Sequence, residues 1–260
     1  MLDQNYINLV KVVIPIYKNE LSDLEKRSLS QVYDILKNYP LVVIKPESLD
    51  LSDCLKPYPL ISIQTFNDSF FKGISGYNNL MLSTLFYKTF IDYKYILIYQ
   101  LDAYVFRDEL EKWCAYDYDY VGAPWLKRPI YNLPIISWIM SYSLKRKTRK
   151  GQVSKQLLYN KIGNGGFSLR KVRSHYLATK THAKKINRFL VQRRQHLYNE
   201  DVFWAFLPDF SYPTAMEALR FSFDKYPELS YKLINKQLPF GCHGWYKRKM
   251  KHFWKPIINY

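Results

Sequence analysis

Tyr95-Ile-Leu-Ile-Tyr-Gln-Leu-Asp102 is a short apolar run that ends on a single carboxylate. It is too short for a typical helix and rich in β-branched and aromatic residues, so it reads as a buried strand. Ligands of open α/β sheets bind at the carboxyl ends of the strands. Asp102 stands at such an end. An ionised Asp there must be solvated, paired or bound to a cation, because burying it alone is very costly.

The pattern around this run repeats it. Leu9 to Ile14 reads as a first strand, closed by Pro15. Ser22-Asp-Leu-Glu25 is a capping-box pattern that opens a helix, and Leu29, Val32, Tyr33 and Leu36 then share one helical face. Leu41 to Ile44 reads as a second strand and Pro59 to Gln64 as a third. Asn79 to Ile91 reads as a helix leading into the Asp102 strand, and Tyr118 to Ala123 as another strand. Strands alternating with helices predict an α/β fold with a mostly parallel central sheet flanked by helices, as a single domain. The pattern weakens over 125–160, which mixes Pro, aromatics and the basic run Lys145 to Lys150. It reads as an irregular insertion, either a lid over a site or an excursion packed on the core, within which Ile130 to Leu144 is apolar enough for an interfacial or packed helix but too short to span a membrane. Regular structure is expected again from Gly163, with a helix over Lys171 to Ala178 and another over Glu200 to Phe206. Thr179 to Gln195 is strongly basic, and Phe210 to Phe223 reads as irregular or short strands.

Composition narrows the class. The 260 residues carry 39 Lys and Arg against 22 Asp and Glu, a formal charge of +17, which favours anionic partners. The 24 Tyr and 15 Phe suit grooves that hold sugars, or interfaces. Cys54, Cys114 and Cys242 are far apart and form no CxxC, so neither a zinc ribbon nor a disulfide framework is indicated, and a reducing cytoplasm is expected. Met1 to Val13 lacks a signal-peptide apolar block, and no stretch reaches the roughly 18–20 apolar residues that span a bilayer.

Four segments can carry chemistry. Gln100-Leu-Asp102 can hold a divalent cation that neutralises a diphosphate, or Asp102 can cap the next turn or pair with Arg107 or Lys112. Gly163-Asn-Gly-Gly-Phe-Ser-Leu-Arg170 brings backbone close to a neighbour or supplies positive φ, and lacks the Gly-Lys-Ser/Thr ending of a phosphate-binding P-loop. Asn199-Glu-Asp201 offers adjacent carboxylates at a helix start, as a cap or as a general base toward a hydroxyl. His243, in Pro239-Phe-Gly-Cys-His-Gly-Trp245, is a candidate metal or phosphate ligand, or simply an exposed histidine.

Taken in order, these segments resemble glycosyltransferases of the GT-A fold. More narrowly, Ile98 to Phe106, Gly163 to Arg170, Glu200 to Trp204 and Pro239 to His243 resemble a poorly characterised bacterial glycosyltransferase-like family associated with surface polysaccharide genes. The resemblance implies a nucleotide-sugar donor and a glycan or lipid-linked acceptor. It implies Asp201 as catalytic base in an inverting reaction, with Glu200 orienting the acceptor. Pro15, Tyr17 and Asn19 would meet the nucleotide base, Gln100 and Asp102 the diphosphate, and Gly165 and Gly166 the donor–acceptor cleft. Mn2+ or Mg2+ would sit on Asp102 and His243. One departure stands out: Gln100 occupies the place of the first Asp of a DxD motif and brings no charge, so metal binding would be weak, rely on His243 or be absent, and in its absence basic side chains would have to stabilise the leaving diphosphate. Residues 1–244 would form the transferase domain and 245–260 a basic, aromatic tail. That tail, with Trp245, Phe253 and Trp254 among cations, would supply contact with an anionic membrane surface, placing a cytoplasmic enzyme on the inner face of the membrane, or else form a solvated, partly disordered end. The competing reading is a non-catalytic nucleic-acid-binding protein driven by the basic surface, although no known reading motif organises those residues and no specific nucleic acid is expected.

Overall fold

Alternate residues of the quoted run face opposite sides of one sheet. In the computed structural model, which describes residues 8–150, 154–192 and 196–260, Tyr95, Leu97 and Tyr99 join one apolar core while Ile96 and Ile98 join another. A strand buried on both faces is apolar at every position, hence the unbroken run. The first seven residues and the Arg193–Gln195 end of the basic stretch lie outside the described residues.

Among the described residues nine strands form two sheets: β1 (Asn8–Pro15), β2 (Leu41–Pro46), β3 (Ile61–Phe66), β4 (Tyr93–Tyr99), β5 (Ala103–Val105), β6 (Tyr120–Val121), β7 (Phe167–Lys171), β8 (Ser222–Phe223) and β9 (Gly241–His243). The larger sheet has the order β3-β2-β1-β4-β7-β6. Its first four strands run parallel, and β7 and β6 add antiparallel pairings. The smaller sheet, β5-β9-β8, packs beyond the end of β4. The α/β architecture with a mostly parallel central sheet is therefore as the strand–helix alternation predicts.

Local chemistry sets the helices. The helix Asp23–Leu36 starts on the anticipated capping box, with the Glu25 carboxylate accepting from the Ser22 amide at 2.8 Å. The single helix expected over Asn79 to Ile91 is two, Gly73–Met81 and Thr84–Thr89. Ser83 separates them, because its hydroxyl caps the second by accepting from the Phe86 amide at 3.1 Å. Within Phe210 to Phe223, read as irregular, Thr214 and Glu217 form another capping box and start the helix Ala215–Phe221. The stretch 125–160 also carries regular structure, above all the helix Pro134–Arg149.

Residues 245–260 pack as part of the fold. Trp245 and Trp254 are fully buried and, with Leu219, Phe223, Met250 and Ile258, form a third apolar cluster under the small sheet. The Trp245 indole donates to the Ala103 carbonyl at 3.1 Å. These two tryptophans hold the small sheet and are not available to a membrane, which corrects the interfacial role anticipated for them. Trp254→Ala is therefore expected to lower the unfolding free energy by about 3–5 kcal/mol. Chemical denaturation measures it, and a loss below about 1 kcal/mol, the scale of a surface change, would mean that the segment is peripheral.

Candidate active site

The end of β4 opens into a cleft of about 700 Å³, a size suited to a small-molecule ligand. Three hydrogen bonds build it, two between backbone groups and one from a backbone amide to a side chain. The Gln100 amide donates to the Gly166 carbonyl at 2.8 Å, which ties the glycine turn to the strand end. The Gly244 amide donates to the Asp102 carbonyl at 2.7 Å, which ties on the loop after β9. The Glu200 amide donates to Asn78 Oδ1 at 3.1 Å, which fixes the start of the helix Glu200–Trp204. Pro15, Tyr17, Gln100, Asp102, Gly165, Gly166, Glu200, Asp201 and His243 all line this cleft. Asn19 does not line it; it lies exposed in the loop after β1.

Within the glycine turn the left-handed residue is Asn164, at φ 69°, whose side chain accepts from the Gly166 amide at 3.3 Å. The next two glycines serve close approach instead. A Cβ on Gly165 would collide with the Glu200 carboxylate, and one on Gly166 with the His243 ring and the Gln100 side chain.

Glu200 belongs to a buried ion pair. Its Oε1 lies 2.9 Å from Nη2 of Arg170, whose side chain is fully buried and also donates to Ser168 Oγ and the Tyr87 hydroxyl at 3.0 Å each. Removing one partner of such a pair costs about 3–5 kcal/mol, since it strands a charge in the core. Glu200 thus fixes its neighbour Asp201 and the wall behind Gly165. Its Oε2 is buried without a hydrogen-bond partner among the described residues. Burial raises the Asp201 carboxyl above the usual carboxylate range, against the pull of the Val202 and Gly165 amides. A raised carboxyl is a better proton acceptor near neutrality.

Asp102 lies between two cations. Its Oδ1 is 2.9 Å from His243 Nε2 and its Oδ2 accepts from the Lys247 ammonium at 2.7 Å. Asp224 approaches the other ring nitrogen of His243 at 3.6 Å. Burial opposes both charges of the Asp102–His243 pair, yet the pairing prevails. His243 is pushed up to about 9, and His243 and Lys247 together hold Asp102 well below the usual carboxylate range. Lys247 and Asp224 escaped the sequence reading. The one available signal was the spacing of Lys247, four residues after His243 inside the segment read as a tail.

This donor set does not fit the Mn2+ or Mg2+ expected from the resemblance. Hard divalent cations take several oxygen ligands. Here the single carboxylate of the strand end is already held by an imidazolium and an ammonium, and Gln100 adds only a neutral amide. Among the described residues no group of three His, Cys, Asp or Glu side chains is arranged to hold a metal ion.

The model of the family described as "Protein of unknown function (DUF5672)" matches residues 60–243. No curated protein matches the sequence. Solved structures share the fold at low identity. A galactosyltransferase, LgtC, solved with donor and acceptor sugar analogues, matches with a TM-score of 0.57 and 11% identity over 96% of this chain and 94% of that one. Mouse xyloside xylosyltransferase 1 gives 0.51 and 13% over 90% and 96%. The glycosyltransferase GlyE of Streptococcus pneumoniae gives 0.52 and 10% over 97% and 62%. The architecture is thus the GT-A type.

The cation pair on Asp102 makes stability depend on pH. A His whose folded value rises from 6.5 to about 9 contributes roughly 3 kcal/mol. That contribution is fully present below about pH 6.5 and is lost as pH rises through about 9. The Asp102 contribution runs the other way, present above about pH 4 and lost as pH falls below it. The stability gap between the native protein and His243→Gln is therefore expected to be widest near pH 5–6 and to shrink toward pH 10. Urea titrations at several pH values measure it; a gap that stays constant from pH 5 to 10 would show that His243 is not the charged partner.

Proposed function

The chain belongs to the DUF5672 family, and from the cleft at the end of β4, most of whose lining lies in the matched segment, we propose that it is a glycosyltransferase. In this reading it moves a sugar from a nucleotide-sugar donor to a glycan or lipid-linked acceptor, in the synthesis of a bacterial surface polysaccharide on the cytoplasmic side of the membrane. The observation that carries the proposal is the convergence of two unlike chemistries in one cleft. A cation pair, His243 and Lys247, sits where a departing diphosphate would need charge. A carboxylate with raised proton affinity, Asp201, lines the same space.

The steps follow from those groups. Pro15 and Tyr17 border the part of the cleft assigned to the nucleotide base. The acceptor hydroxyl oxygen attacks the anomeric carbon of the donor. The bond from that carbon to the diphosphate oxygen breaks, and its electron pair leaves with the nucleoside diphosphate. Asp201 takes the hydroxyl proton, and the configuration inverts. Charge developing on the leaving oxygen is met by Lys247 and His243, which are fixed in place beforehand by Asp102, so little reorganisation accompanies bond breaking. The Glu200–Arg170 pair keeps Asp201 in register, so Glu200 orients the acceptor through the position of Asp201.

A panel of nucleotide sugars offered with acceptor fractions tests the reading; neither transfer nor donor hydrolysis with any donor would overturn it. Asp201→Asn is expected to lower turnover by about 100- to 10,000-fold with donor affinity largely kept. Nuclear magnetic resonance of the product anomer checks the role: retention of configuration, or full activity in Asp201→Asn, removes Asp201 as base. Lys247→Met is expected to lower kcat by about 100- to 1,000-fold. Activity of the native protein is expected to survive EDTA. If EDTA abolished turnover, Mn2+ restored it and Lys247→Met behaved as native, the cation pair would not carry the leaving group.

A further inference from the structure

The positive charge of this chain is confined to one stretch. The 80 residues from Tyr120 to Asn199 contain 18 Lys and Arg and no Asp or Glu. The remaining 180 residues hold 21 basic and 22 acidic residues and are close to neutral. The net charge of +17 therefore belongs to the excursion around the helix Pro134–Arg149 and to the elements that follow it.

That helix has two faces. Ile136, Ser137, Met140, Ser143 and Leu144 are half-buried toward the protein, and the Met140 carbonyl is held by Gln156 Nε2 at 3.1 Å. The outward stripe begins with Ile135, Trp138, Ile139 and Tyr142, which are 76%, 70%, 52% and 62% exposed. Their spacing of three and four residues puts them on one side. The same stripe continues into exposed Lys145, Arg146 and Arg149. The Trp138 and Tyr142 rings stack on each other, 6.1 Å apart and 16° from parallel. One rigid aromatic step thus separates an aliphatic end from a cationic end. Large exposed apolar stripes of this kind mark interaction sites.

Three occupants can be compared by chemistry. A second copy packed on the same stripe would bring no carboxylate to Lys145, Arg146 and Arg149, because residues 120–199 contain none. A nucleic acid would meet the cations, but it has no surface for Ile135 and Ile139. An anionic bilayer meets all three parts: headgroup charge for the cations, the headgroup boundary for Trp and Tyr, and acyl chains for the aliphatics. No helix among the described residues is long and apolar enough to cross a membrane, so contact through this helix would be with the surface.

We propose that the outward face of the helix Pro134–Arg149 docks on an anionic lipid surface, through Trp138, Tyr142 and the flanking isoleucines in the interface and Lys145, Arg146 and Arg149 on the headgroups. The helix stands on a short neck beside the cleft. Pro124 bridges Ile162, and the Gly163 amide donates to the Ala123 carbonyl at 3.1 Å, next to the Asn164–Gly166 turn that lines the cleft. Docking there holds the glycine-turn side of the cleft close to the membrane plane. If the proposed transfer holds, that side receives a lipid-linked acceptor; the docking itself needs no sugar.

Sedimentation of the full chain with phosphatidylcholine vesicles, with and without about 30% phosphatidylglycerol, reads the interaction at about 0.1 M NaCl. Binding is expected only with phosphatidylglycerol. It should be accompanied by a blue shift of emission from Trp138, the most exposed of the six tryptophans, and that shift should be absent in Trp138→Phe. The triple variant Lys145→Gln, Arg146→Gln, Arg149→Gln is expected to bind about 100-fold more weakly. A charge-matched control, Lys249→Gln, Lys251→Gln, Lys255→Gln, is expected to stay near native. Equal losses from the two triples would assign binding to net charge and overturn the proposal, as would full binding by Trp138→Ser, Tyr142→Ser. A dimer that Trp138→Ser dissociates, with no vesicle binding, would give the face to a second copy and overturn it too. No substrate enters the assay, so failure of the transferase reading and failure of the docking are separable.

Discussion

The antiparallel pairing of β7 with β4 is the constraint on which the cleft depends. Tyr99 pairs with Phe167, so the segment entering β7 lies beside the segment leaving β4. A parallel strand in that position would have delivered its carboxyl end to the cleft and sent the glycine turn to the far edge of the sheet. A second short ladder completes the arrangement: Ala103 pairs with His243, which fixes the imidazole beside Asp102. Two pairings of five and three residues thus gather segments that are 68 to 140 residues apart in the chain.

Much of this was legible because burial writes itself into composition. The run before Asp102 is apolar at every position since both faces of β4 are covered, and Ser22-x-x-Glu25 announces a helix start through two satisfied amides. What escaped was of two kinds, local caps masked by their surroundings and side chains held by distant partners. Ser83 looks like any helical serine until its hydroxyl caps a new turn. Thr214-x-x-Glu217 has the same form as the first capping box, yet it sits among aromatics and Pro that suggested irregular chain. Trp245 and Trp254, read beside Lys and Arg, suggested an interface; only the small sheet explains their burial. The glycine turn was legible as a place of close approach, but which residue takes the left-handed conformation was not, and it is Asn164.

The candidate site divides the same way. Asp102, Asp201, Glu200 and His243 could be singled out because a carboxylate at a strand or helix end and a histidine among small residues need partners. The identity of those partners could not be read. Arg170 is the last residue of the quoted glycine segment, and its charge is fully internal, spent on Glu200 rather than on a ligand. Lys247 resembles any other lysine of a basic tail until its ammonium meets Asp102. In a chain with this excess of positive charge, position and not abundance separates the lysine that faces the cleft from those that face solvent.

The neck at Pro124 and Ile162 has a consequence of its own. Because the two ends of the excursion already meet in a bridge, the entropy of closing that loop is met within the sheet edge, and extra length adds little to the cost. The segment is therefore an exchangeable cassette. Its length, helicity and surface can change while the strand ends beneath it stay in place.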